Sequence, residues 1–185
     1  MTEKFTYQVT DIDGLFHLQR RQLRDDRGSF ERLFCLDELA PWGGREIKQI
    51  NQTITKRSGT IRGLHFQFGG AAECKYVTCL RGAVFDVAVD LRRSSKTYGQ
   101  WFGCELSGAK HNALLIPEGF AHGFQTLQDD VMMLYLHSAP YTKQLEAGVH
   151  PFDEELKITW PLPATTISER DKSLPLLSSI TGLNL

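Results

Sequence analysis

The sequence predicts an all-β protein, an antiparallel sandwich or barrel, on three observations. Short runs rich in β-branched and aromatic residues recur about every 8–12 residues, with turn residues between them. Several of these runs alternate at the period of two that a strand imposes. No internal repeat, low-complexity segment or linker interrupts the series. Residues 46–55 form the first run, followed after Arg57-Ser58-Gly59 by 59–67. Residues 74–80 and 84–91 flank Arg81-Gly82-Ala83, which reads as a hairpin turn. In 84–91, Val84, Asp86, Ala88 and Asp90 share one face, and Phe85, Val87, Val89 and Leu91 share the other. Residues 100–106, 112–116, 122–127 and 131–137 continue the pattern. Residues 30–39 and 151–156 read as short peripheral helices, and the chain after Trp160 as extended surface coil.

The chain has 185 residues and a mass of 21.0 kDa, which fits one domain spanning 1–185. With 21 Lys plus Arg against 22 Asp plus Glu, the net charge is −1, so no electrostatic footprint for nucleic acid is present. No apolar run approaches the ~18 residues of a membrane span, and the opening residues 1–10 lack the pattern of a signal peptide. Gly and Pro stand at ordinary levels, which excludes collagen-like and disordered chains. The four cysteines, Cys35, Cys74, Cys79 and Cys104, form no Cys-x-x-Cys pair, so the spacing gives no zinc site. A reduced, cytoplasmic setting is expected.

The clearest local signature is Pro117-Glu118-Gly119-Phe120-Ala121-His122. This Pro-x-Gly-x-x-His pattern matches the second motif of the cupin barrels, in which a tight turn delivers the histidine onto a strand facing the lumen. Gly59 and His65 fit the first cupin motif, but a metal site needs a second imidazole two residues on, and position 67 is Gln. The expectation is a cupin-type antiparallel β-barrel (jelly roll) with a few short helices and no metal. A metal-free pocket must use side chains. His65, Lys75 and Tyr135 stand at suggestive places, Tyr135 on the same strand face as Met133 and His137. Taken singly, each reads as structural. Arg62 has the wrong parity to share the face of His65 unless Gly63 bends the strand.

Together the motifs change that balance. Arg-Gly-Leu-His-Phe-Gln (62–67), Lys-Tyr-Val-Thr-Cys (75–79), Gly-Ala-Val-Phe-Asp-Val-Ala-Val-Asp-Leu-Arg (82–92), Thr-Tyr-Gly-Gln-Trp (97–101), Ile-Pro-Glu-Gly-Phe-Ala-His-Gly-Phe (116–124) and Ser-Glu-Arg-Asp (168–171) occur in order. Over about residues 10–172 the chain resembles the dTDP-4-dehydrorhamnose 3,5-epimerase family. The resemblance implies a nucleoside-diphospho-4-keto-6-deoxyhexose as substrate, inversion of C3, C5 or both beside the ketone, and no cofactor. It implies His65 as base, Asp171 as its partner, Lys75 facing the C4 oxygen and Tyr135 as acid. Tyr141 would border the sugar, and His122 with Asp86 would form a second polar pair. Arg27, Gln49, Asn51, Arg62, Glu146 and Arg170 match substrate-contacting positions, the arginines suiting a pyrophosphate. A homodimer with an exchanged N-terminal strand is also implied.

One departure concerns the nucleobase. Family members carry Glu five residues after the Arg of Arg-Gly, where it accepts the thymine N3–H. Here position 32 is Arg and Glu31 stands one place early. Glu31 through a shortened strand would keep dTDP, whereas Arg32 would suit cytosine N3 and a CDP-linked hexose. The other readings weighed are a ketoisomerase on the same scaffold, a metal-dependent cupin and a non-catalytic sugar-binding cupin.

Overall fold

Fourteen strands form among residues 4–184, the part of the chain that the computed structural model describes. They are β1 (Phe5–Val9), β2 (Phe16–Arg20), β3 (Gln22–Asp25), β4 (Gly28–Glu31), β5 (Gln49–Thr55), β6 (Thr60–Gln67) and β7 (Lys75–Arg81). The series continues with β8 (Ala83–Asp90), β9 (Trp101–Ser107), β10 (Asn112–Ile116), β11 (Phe120–Thr126), β12 (Val131–His137), β13 (Glu146–Gly148) and β14 (Thr166–Ile167). One short helix, α1 (Glu169–Lys172), follows. The sheet order β1-β2-β10-β7-β12-β5 forms one wall, and β13-β6-β11-β8-β9 forms the other. All pairs in these walls are antiparallel except β14, which runs parallel to β6. The hairpin β3–β4 is a separate two-stranded sheet. The cupin-like, nearly all-β fold expected from the sequence is the one observed.

The alternation places three apolar layers. Val84 and Ala88 join Val77, Leu114, Phe124 and Met133 between the walls. Val87, Val89 and Leu91, on the opposite face of β8, pack with Leu64, Ala121 and Val149 outside. Trp42, Tyr76 and Leu115 cover the outer face of the other wall. Each fully buried large side chain contributes about 1.5–3 kcal/mol. Cys79 lies in the central layer, and burial pushes its thiol up to about 11.

Four sequence expectations are corrected, the first being the chain after Trp160, which carries β14 and α1 and buries Asp171 and Leu177 instead of lying as surface coil. Gly82 has φ 79°, so the turn at 81–83 is real, but it makes no hairpin. β7 pairs with β10 and β12, and β8 pairs with β9 and β11. Turn chemistry fixes where the chain reverses, whereas closing a two-walled barrel sends the two strands to opposite walls. Residues 30–39 are not a helix: Phe30 and Glu31 end β4 opposite Leu23 and Gln22, and Phe34 then packs edge-on against Trp42 and Tyr76. Residues 151–156 are turns, because the Asp153 carboxylate takes the N–H groups of Glu155 and Leu156 that a helix would use.

Gly63 resolves the parity of Arg62. In the β6–β11 pairing, His65 faces His122 while Arg62 faces Phe124, so three steps on β6 match two on β11. The bulge turns Arg62 onto the face of His65. Gly63 holds φ 110°, and a Cβ there would lie 2.7 Å from both the Gly123 Cα and the His122 carbonyl oxygen. Gly63→Ala is therefore expected to destabilise by about 2–4 kcal/mol, read as a melting temperature lower by roughly 5–15 °C. A melting temperature unchanged from wild type would sink this account.

Candidate active site

A cavity of about 520 Å³ opens between the two walls, within the usual range for small-molecule sites. β6 supplies His65 from one wall. The fold brings Asp171 to it from α1, across 106 residues of sequence, with Nε2 2.7 Å from Oδ1. Ser168 caps this short helix by accepting the Asp171 N–H at 3.0 Å, and the other Asp171 oxygen accepts the Gly63 N–H at 3.1 Å. Burial works to raise the Asp171 carboxyl, but the hydrogen bond and charge of His65 and the Gly63 N–H outweigh it and hold it below its ordinary range. An ionised Asp171 accepts from Nε2–H, which leaves the lone pair on Nδ1.

Tyr135 stands on β12, in the opposite wall from His65. It is buried, and its hydroxyl shares a hydrogen bond of 3.1 Å with Thr53 on β5. Burial pushes the phenol well above its ordinary value, against the Thr53 hydrogen bond, so it stays protonated through the physiological range. Lys75, on β7 in the same wall, reaches across: its Nζ donates to the His65 carbonyl at 3.3 Å. His122 also lines the cavity and donates to the fully buried Asp86 at 2.9 Å, and its ring meets that of Tyr135 at 6.2 Å.

Gln49, Asn51, Arg62, Tyr141, Glu146 and Arg170 also line this cavity. Glu146 accepts from Arg170 at 2.7 Å and from the Tyr141 hydroxyl at 2.8 Å, forming one side of the mouth. Gln49 accepts the Tyr141 N–H at 2.9 Å. Gln67, which stands where a cupin metal ligand would, accepts the Thr142 N–H at 2.6 Å and donates to the Ala71 and Pro140 carbonyls. Its work is to brace the 140–142 segment that carries Tyr141. Among the described residues no three His, Cys, Asp or Glu side chains are grouped as a metal-ligand set.

Three expected residues lie outside the cavity lining, the first being Asp86, fully buried and bonded to His122. Arg27 is at the tip of the β3–β4 hairpin, its side chain 89% exposed and paired with Asp25 at 2.6 Å. Glu31 is turned onto its own barrel, 3.4 Å from Arg20 and 3.0 Å from His111. Arg32 pairs with Glu38. Sequence reasoning missed Glu73 and His137, which line the cavity beside Lys75. The signal existed, since His137 shares the face of Tyr135 on a single strand.

An imidazole held by a carboxylate on one wall and a protonated phenol on the other are the equipment of an acid–base enzyme built in a cupin-like barrel. The chain belongs to the dTDP-4-dehydrorhamnose 3,5-epimerase family, whose family model matches residues 9–179, past the limit near Lys172 that the motifs suggest. The chain is 41% identical to a dTDP-4-dehydrorhamnose 3-epimerase of Streptomyces niveus over 176 residues, covering 94% of this chain and 84% of that one. It is 40% identical to a dTDP-4-dehydrorhamnose 3,5-epimerase of Mycolicibacterium smegmatis, covering 94% of this chain and 86% of that one. The crystal structure of a dTDP-4-dehydrorhamnose 3,5-epimerase from Bacillus anthracis, with TDP and pyrophosphate bound, superposes with TM-score 0.90 at 38% identity. That match covers 94% of this chain and 99% of the other.

Proposed function

We propose that the protein inverts C3, C5 or both in a dTDP-4-dehydro-6-deoxyhexose, of the type that converts dTDP-4-dehydro-6-deoxy-D-glucose to dTDP-4-dehydro-L-rhamnose. The observation that carries this reading is the placing of His65 and Tyr135 on opposite walls of one cavity. Inversion requires a proton to leave one face of a carbon and another to arrive at the opposite face. His65 removes the proton beside the ketone, its imidazolium stabilised by Asp171. The electron pair moves onto the C4 oxygen, where the Lys75 ammonium stabilises the enolate. Tyr135 then protonates the far face as the carbonyl re-forms, and the phenolate recovers its proton from solvent. The ketone itself is the electron sink, so the sequence needs no cofactor. Arg62 and Arg170 at the cavity suit the pyrophosphate. Incubation with dTDP-4-keto-6-deoxyglucose in deuterated water tests the reading. NMR should show deuterium at C3, C5 or both with inverted product; no uptake at either carbon overturns it.

The protein acts as a homodimer in which an N-terminal segment crosses to the partner. The β3–β4 hairpin supports this, because it stands apart from both walls and exposes the cross-strand pair Leu23 and Phe30. Arg27 at its tip then reaches the partner's nucleotide. Four cysteines without disulfides fit work in the cytoplasm, in deoxysugar and polysaccharide biosynthesis. For the base, dTDP should bind roughly tenfold to hundredfold more tightly than CDP, the effect of about 1–3 kcal/mol for a satisfied thymine N3–H. The pairing of Arg32 with Glu38 supports this preference, since it neutralises the one group that suits cytosine. Calorimetric titration with both nucleotides checks it; tighter binding of CDP, lost in Arg32→Glu, reverses the assignment.

A further inference from the structure

Three histidine–carboxylate pairs converge on this cavity, and the proposed reaction gives a step to only one of them, His65 with Asp171; His122 with Asp86 is the second. The third is His137 with Glu73. The His137 Nδ1 lies 2.8 Å from Glu73 Oε2, and the other Glu73 oxygen lies 3.4 Å from Lys75 Nζ. The side chains of Glu73 and Lys75 are 7% and 9% exposed, so this is a built and desolvated arrangement. Burial works to raise the Glu73 carboxyl, but His137 and Lys75 hold it below its ordinary range. A carboxylate there makes Nδ1 the donor and leaves Nε2 as a hydrogen-bond acceptor. Asn51 approaches that nitrogen only loosely, at 3.4 Å. His137 sits directly across from Lys75 in the β7–β12 pairing, and its ring stacks at 25° to that of Tyr135, two residues back on the same face.

We infer that His137 is a specificity-determining residue that accepts a hydrogen bond from the C3 hydroxyl of the hexose, held in the accepting tautomer by Glu73 as a positioning residue. The inference rests on the epimerase reading, which puts Lys75 at the C4 oxygen. His137, its neighbour across the strand pair, then faces a substituent next to the ketone. Of the two carbons flanking C4, C5 carries a methyl group and the ring oxygen, and only C3 carries a hydroxyl that can donate. Inversion at C3 redirects that hydroxyl, so an acceptor fixed on one wall favours one C3 configuration and orients the C3 hydrogen toward His65. The relatives include both a 3-epimerase and a 3,5-epimerase at nearly equal identity, so the choice of carbon is set by individual residues rather than by the fold.

The experiment measures deuterium uptake at C3 and C5 and KM for wild type, His137→Phe, Glu73→Gln and Glu73→Leu, with the intact dTDP-linked substrate and its 3-deoxy analogue. Phenylalanine keeps a flat ring against Tyr135 and removes the acceptor. His137→Phe should raise KM about threefold to tenfold, the effect of one neutral hydrogen bond, and lower the C3:C5 uptake ratio at least threefold. Glu73→Gln still accepts from Nδ1–H and should keep the wild-type ratio, whereas Glu73→Leu should behave like His137→Phe. A purely structural role for Glu73 would change the overall rate without moving this ratio. The analogue makes the test independent of variant folding: wild type should bind it about threefold to tenfold more weakly than the intact compound. Equal binding of the two compounds by wild type overturns the inference, as does a folded His137→Phe with wild-type KM and uptake ratio. Wild type without exchange at any carbon overturns the epimerase reading, and this inference with it.

Discussion

His65→Ala is expected to lower turnover, and deuterium uptake at C3 and C5 alike, by ~10²–10⁴-fold, the usual contribution of a positioned acid–base group. The size follows from how completely the cavity commits this one imidazole. Its Nε2 is fixed by Asp171 at 2.7 Å, and its side chain is 30% exposed, open to the cavity. Neither of the other cavity histidines can replace it. His122 spends Nε2 on the buried Asp86 and is itself 7% exposed. His137 lies on the opposite wall, beside Tyr135. Asp171→Asn should lose much of the same activity while leaving substrate affinity near wild type, because an amide also donates and no longer fixes Nε2–H or stabilises the imidazolium. Exchange in real time by NMR, with circular dichroism as a control for folding, decides the matter. A folded His65→Ala protein that exchanges at a rate near wild type would assign the base elsewhere.

Tyr135→Phe is expected to separate exchange from inversion. The base wall is untouched, so His65 still removes a proton and, after trading it with solvent, returns deuterium to the same face. Net epimerisation should fall by ~10²–10⁴-fold, while deuterium uptake with retention of configuration stays within about tenfold of wild type. The buried phenol is a weak acid held fully protonated, so removing its oxygen deletes the donor and leaves the charge on the remaining groups unchanged. Thr53 loses its partner, but it is only partly buried and can turn to water. Chiral analysis of the product beside the exchange measurement checks the result. Full epimerisation by the variant would show that the second proton comes from another group.

Much of this site was legible before any coordinates. The eight strands from β5 to β12 fall within a few residues of the runs read from alternation, because a strand with two differently packed faces writes that period into its side chains. Turn residues marked His122 for the same reason: Gly119, at φ 85°, makes the bend that starts β11. The alternation of Phe5, Tyr7 and Val9 also marks β1, a signal the reading passed over. Asp171, Tyr135 and Lys75 came from the resemblance and not from any pattern within the chain, since nothing local distinguishes a cavity-facing tyrosine from a core one.

Sequence alone thus shows the approximate extent of β5 to β12, the two faces of strands such as β8, and the ordered motifs of this family. Tertiary structure alone decided partners. It sent β7 and β8 to opposite walls although a tight turn joins them, and it used the bulge at Gly63 to bring Arg62 and His65 onto one face. It turned Gln67 into a brace for the 140–142 segment and gathered Glu73, Lys75 and His137 into one buried network. The physical reason is range. Alternation and turns depend on backbone geometry over a few residues. A pairing such as His65 with Asp171 depends on closing the whole barrel, and no residue near either one records it.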